Sequence, residues 1–132
     1  MGLSESRVTA IIAVSDQETA RSFYEGKLGL SDYEEQPDGG RTYSCAEGTR
    51  IHVYRSPDNA GKSTATVAGF TVDDVEGTVD ELTGKGITFE QYPEPFPFPT
   101  NEKGIASMGG QSVAWMKDPD GNTLAIEDVQ PG

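Results

Sequence analysis

The sequence predicts an α+β fold in which a βαβββ unit occurs twice in tandem, the two copies folding around a shared cleft. Three observations predict it. Ser15-Asp16 and Gly26-Lys27 recur as Asp73-Asp74 and Gly84-Lys85, in both cases 58 residues later. Each copy opens a segment of helical periodicity that follows a β-branched run and precedes three strand-like stretches. The chain's 132 residues suit one ordinary domain, large enough for two copies to share a core. The expected organisation is a single domain over 1–132, with a first module at 7–56 and a second at 64–129.

Residues 8–14 (VTAIIAV) read as a strand buried on both faces. Ser15-Asp16-Gln17-Glu18 has the S-x-x-E form of a capping box and predicts a helix start. Ala20, Phe23, Tyr24, Lys27 and Leu28 follow at helical spacing, and Gly29 is placed to end the helix. Strands are expected at 31–36, 41–46 and 49–55, separated by the turns Pro37-Asp38-Gly39-Gly40 and Glu47-Gly48.

The second half repeats this order after the linker Asn59-Ala60-Gly61-Lys62-Ser63, with a strand at 65–72. Asp73-Asp74-Val75-Glu76 opens a helix whose apolar stripe is Val75, Val79 and Leu82 and which Gly84-Lys85-Gly86 ends. Further strands are expected at 87–92, 112–117 and 122–129, the last two joined by Asp118-Pro119-Asp120-Gly121-Asn122. Pro93, Pro95, Pro97 and Pro99 exclude regular structure between the sixth and seventh strands. That long connection carries Phe96, Phe98, Ile105 and Met108 among flexible glycines, and it reads as a lid or an interface arm.

Composition excludes several classes. A formal charge of −12 repels phosphate backbones and anionic lipid heads, so neither nucleic acid nor a membrane surface is an expected partner. The charge serves solubility, or it attracts cationic small molecules. No apolar run approaches the length of a membrane span. Residues 1–7 lack a secretory pattern, and Cys45 is the only cysteine, so the expected location is the cytoplasm.

The residues V-S-D-x-E-x-A-x-x-F-Y-x-x-x-L-G-L at 14–30 and D-P-D-G-N at 118–122, on a doubled βαβββ pattern, resemble the vicinal oxygen chelate superfamily. That superfamily contains glyoxalases, extradiol dioxygenases, epimerases, fosfomycin-resistance enzymes and bleomycin-binding proteins. The resemblance covers roughly 7–128 and implies the glyoxalase/bleomycin-resistance fold, whose two sheets form a cup. In its metal-dependent members a divalent ion is held by His, Gln or Glu on the first and last strands of each module. Counting from the motifs, those positions here are Thr9, His52, Val67 and Ala125. A catalytic divalent site needs about three nitrogen, carboxylate or thiolate ligands, and of this set only His52 qualifies. Neither 8–14 nor 65–72 contains a His, Glu, Asp or Gln, so a slip of register does not restore the set. The usual family metal is therefore expected to be absent, and no cofactor is called for.

Strand alternation predicts the lining of the cup. Arg50, His52 and Tyr54 should face it from the fourth strand, with Ala125 and Glu127 from the eighth. Thr9 and Val67 join from the first strands of the modules, and Trp115 from the seventh, while Phe96, Phe98 and Met108 of the long connection close over it. His52 reads as a hydrogen-bonded wall residue or as a general base, and Arg50 and Glu127 as an ion pair or as ligand contacts. The leading functional expectation is a metal-independent small-molecule binder of the bleomycin-resistance type, sequestering a drug or metabolite. The alternative is an enzyme: a lyase or isomerase using His52 and Glu127 as acid and base, or a dioxygenase with ligands from elsewhere. A module that binds no small ligand is a third reading. The modules of this family pack within a chain or by exchange between chains, and a homodimer is expected.

Overall fold

Two four-stranded mixed sheets carry the fold. A computed structural model of the chain describes residues 2–128. Val129, the last residue of the final predicted strand and of the second predicted module, lies outside the described residues. The chain divides into two units, one of residues 2–63 with 119–122, the other of residues 64–118 with 123–128.

In the first unit, β1 (Thr9–Val14) pairs parallel with β4 (Arg50–Arg55), which pairs antiparallel with β3 (Arg41–Ser44), followed by β2 (Tyr33–Glu35). The helix α1 (Gln17–Arg21) continues as a π-helical segment, Ser22–Lys27. Its Ala20, Phe23 and Tyr24 are buried together with Ile12, Val14, Tyr43, Ile51 and Val53. The two-residue period of β4 thus sends Ile51 and Val53 into the core and leaves Arg50, His52 and Tyr54 half-buried on the opposite face.

The cap of α1 differs from the expected capping box. Asp16, not Ser15, is the N-cap, its carboxylate accepting from the Glu18 N–H at 2.9 Å. Ser15 is occupied elsewhere: its hydroxyl and its N–H both donate to the Asp120 carboxylate, at 2.5 and 3.0 Å. In α2 (Val75–Gly84), Asp74 likewise caps, accepting from the Gly77 N–H at 3.0 Å. The second residue of each repeated pair is therefore the cap.

Glu25 ties the π-helical segment to the sheet. It takes hydrogen bonds from Arg41 at 2.5 Å and from the Tyr43 hydroxyl at 2.8 Å. Burial pushes the Glu25 carboxyl up, but the bonds from Arg41 and Tyr43 outweigh it and hold the group below the usual carboxylate value. A lowered folded pKa contributes stability that is present above the unfolded value and is lost as pH falls through the folded one. Glu25→Gln is accordingly expected to cost about 1–3 kcal/mol at neutral pH, and to show a smaller loss than wild type on acidification. Urea denaturation at several pH values, followed by circular dichroism, measures both.

In the second unit, β5 (Thr66–Thr71) pairs parallel with β8 (Thr123–Glu127), and β8 pairs antiparallel with β7 (Gln111–Lys117). Val75, Val79 and Leu82 of α2 are buried, as their spacing predicts. The expected sixth strand at 87–92 is not formed. Phe89 makes a single antiparallel bridge to Met116, and the Glu90 N–H bonds the Trp115 carbonyl at 2.8 Å. The rest of that edge is taken by β6 (Ile105–Met108), which pairs with Gln111–Ala114 across the Gly109-Gly110 turn. The expected irregular connection therefore contains a strand. It packs on its own sheet, burying Ile105 and Ala106.

Candidate functional site

Each unit carries a depression on its sheet. In the first, alternation and register bring Thr9 beside Arg50, Ile11 beside His52, and Thr42 beside His52. These residues, with Gln36, Pro37 and Asp38 from the β2–β3 turn, line a depression of about 490 Å3. His52 is clamped from both sides. Its Nε2 lies 2.8 Å from Asp38 Oδ2, and its Nδ1 lies 3.0 Å from Thr42 Oγ1. The Gly40 N–H and then His52 hold the Asp38 carboxyl below its usual value, so it is an acceptor at neutral pH. Facing that acceptor, Nε2 of His52 donates to Asp38, and Nδ1 shares a hydrogen bond with the Thr42 hydroxyl. Tyr54 stands outside the lining and stacks on His52, 5.8 Å between centroids and 6° between planes.

Gly40 makes this clamp possible. A methyl group there would overlap the Val53 carbonyl oxygen and stand 3.1 Å from both Asp38 Oδ1 and His52 Cε1. Gly40→Ala is expected to cost about 1–3 kcal/mol, and to displace the imidazole. His52 is the chain's only histidine, so its Hε1 proton resonance reports the displacement directly.

In the second unit, Val67, Met108, Trp115, Ala125 and Glu127 line a depression of about 480 Å3, with Gln111 and Val113 among its other walls. Trp115 stands beside Ala125 in the register. Tyr92 and Phe96 hold it edge-on at 5.3 and 6.1 Å between centroids, with interplanar angles of 67° and 88°. Met108 and Trp115 rest on buried Ala106, Val113 and Ala125. Phe98 is 42% exposed and lies outside this lining. Glu127 accepts from Gln111 Nε2 at 3.4 Å, whereas Arg50 has no ion pair among the described residues. Asp38, Thr42 and Gln111 were not among the sequence candidates. The β3–β4 hairpin signals Thr42 as the neighbour of His52, whereas the turn Pro37–Gly40 signals a bend without showing where its carboxylate points.

The architecture is that of small α+β proteins built from paired βαβββ modules, and comparison with known proteins makes it specific. Residues 7–126 match the family model described as Glyoxalase/Bleomycin resistance protein/Dioxygenase superfamily, and the chain belongs to that family. No curated protein matches it. Among solved structures it is similar to a putative glyoxalase family protein from Bacillus anthracis, at 18% identity and a TM-score of 0.72, over 96% of both chains. It is also similar to TnmS3, an antibiotic binding protein from Streptomyces sp. CB03234, at 22% identity and a TM-score of 0.69, over 96% of this chain and 98% of that one. A glyoxalase / bleomycin resistance protein from Catenulispora acidiphila DSM 44928 matches at 20% identity and a TM-score of 0.67, over 93% and 97%.

The family's metal does not fit the residues present. Val67 and Ala125 have no donor atom, Thr9 offers only a hydroxyl, and both nitrogens of His52 are engaged by Thr42 and Asp38. Among the described residues no group of three His, Cys, Asp or Glu side chains is placed to hold an ion.

Proposed function

We propose that this protein binds a small molecule without a metal ion and without converting it, as an antibiotic- or metabolite-sequestering member of its family. The observation that carries the reading is the Trp115 depression. Its volume of about 480 Å3 is that of a small-molecule site, and apolar and aromatic walls surround a single carboxylate, Glu127. TnmS3, named as an antibiotic binding protein, shares the fold. Trp115 is the only tryptophan in the chain, so its fluorescence reads this site alone. A panel of antibiotics, bleomycin included, is expected to contain a compound that quenches it saturably at micromolar concentration or below. Stoichiometric zinc, nickel, manganese or iron bound through His52 in the purified protein would overturn the metal-independent reading.

A second reading, an enzyme of lyase or isomerase type, is favoured by the Asp38–His52–Thr42 chain. The carboxylate fixes the imidazole tautomer in the way a general base requires. Loss of turnover in His52→Ala with the fold intact would establish it. We also place the protein in the cytoplasm as a homodimer. No described helix is long and apolar enough to cross a membrane, and Val8 and Phe98 leave apolar surface for a second copy to cover. Sedimentation velocity tests the dimer.

A further inference from the structure

Among the described residues four lysine and arginine side chains are half-buried, and three of them have acceptors. Arg41 pairs with Glu25 and Glu35, Lys103 with Glu76 and Asp80, and Arg21 donates to the Gly39 carbonyl. The fourth, Arg50, has none: its Nε is buried without a partner, and no acceptor among the described residues takes its remaining N–H groups. Scarcity of acids is not the cause, since the chain has 22 Asp and Glu against 10 Lys and Arg. A guanidinium in the wall of a depression, its Nε withheld from water and no counterion beside it, gains when an anion arrives to pair with its open N–H groups.

The surroundings describe the visitor. Arg50 lines the first unit's depression with Thr9, Thr42 and His52, so hydroxyl and imidazole groups stand around the fork. Asp38, the one acid in that lining, is already committed to the Gly40 N–H and to His52. Its negative charge still disfavours a dianion more than a monoanion. The planar guanidinium matches a carboxylate through two parallel N–H···O bonds, which a lysine could not supply. We propose that this depression is a binding site for a carboxylate group, recognised by Arg50. The proposal does not depend on what Trp115 binds.

The chain's single histidine makes the test direct. Benzoate titrated at constant ionic strength should shift the His52 Hε1 resonance saturably in the low millimolar range or tighter, while benzylammonium should not. Phenylphosphate should bind more weakly than benzoate. Arg50→Gln and Arg50→Met should each weaken benzoate at least 10-fold with circular dichroism unchanged, and Arg50→Lys should recover only part of the affinity. Because Arg50 has no structural partner, the methionine variant should unfold at the same urea concentration as wild type or higher. Benzoate shifts no larger than those from equal chloride, undiminished binding by the glutamine and methionine variants, or a marked fall in the stability of both would overturn the proposal. Tighter binding of phenylphosphate would overturn the carboxylate assignment. Failure of every antibiotic to quench Trp115 would leave these outcomes unchanged, so this site and the aromatic one fail separately.

Discussion

Asn122→Ala is expected to destabilise the first unit by about 3 kcal/mol, taking about 1–3 for each buried group that loses its partner. The residue belongs to the D-P-D-G-N turn, yet its amide does more than shape the turn. Its Nδ2 donates to the Ala13 carbonyl of β1 at 2.8 Å, and its Oδ1 accepts the Gly61 N–H of the linker at 3.2 Å. The side chain is 6% exposed, so water cannot readily replace either bond. One amide thereby holds a strand end to a linker 48 residues away in sequence. Asp120 extends the same seam by binding Ser15, but at an exposed position, and Asp120→Ala should cost only about 1 kcal/mol. Gly61 lies so close that a methyl there would overlap the Asp120 carbonyl oxygen, and its φ of 64° already disfavours a side chain. Gly61→Ala should therefore lose as much as Asn122→Ala. Urea unfolding by circular dichroism decides the matter: a loss under about 0.5 kcal/mol in the asparagine variant, the range of an ordinary surface change, would remove the turn's structural role.

Much of this fold was legible because local and global signals agree. The run VTAIIAV can scarcely be anything but a buried strand, and the pairs Ser15-Asp16 and Asp73-Asp74 mark two helix starts 58 residues apart, although the cap at each is the second residue of the pair. The misread region shows the opposite case. Ile105–Met108 is four residues between glycines, with no strand propensity beyond its first residue, and it becomes a strand only because Gln111–Ala114 offers it a ladder. Conversely 87–92 has the composition of a strand but finds ladder space for Phe89 alone. Pairing is a tertiary decision, invisible to periodicity. The site divides in the same way. Alternation along β4 put Arg50 and His52 on one face from sequence alone. That His52 is clamped by a turn aspartate, and that Arg50 is left without an acid, depends on where the β2–β3 turn folds back, which no spacing reveals.

Trp115→Ala is expected to weaken the antibiotic that quenches Trp115 most strongly by at least about 30-fold, the loss usual for a central aromatic anchor. The loss follows from how the indole is held. Tyr92 and Phe96 meet it edge-on, and Met108 and the small residues Ala106 and Ala125 support it from the sheet. Its plane is thus fixed before a ligand arrives, and little side-chain entropy is lost on binding. Stacking on a preset indole contributes more than the buried area alone. Since Trp115→Ala removes both the contact and the reporter, affinity is read by calorimetry. Trp115→Phe, which retains an aromatic plane, separates loss of contact from loss of fold and should weaken binding only several-fold. Phe96→Ala should fall between them, because it leaves the indole in place but removes one of its two braces. The order alanine, then Phe96→Ala, then phenylalanine follows from a braced stacking platform. Equal affinities within threefold across all three variants would mean that the ligand does not rest on Trp115, and the aromatic depression would lose its claim to be the binding site.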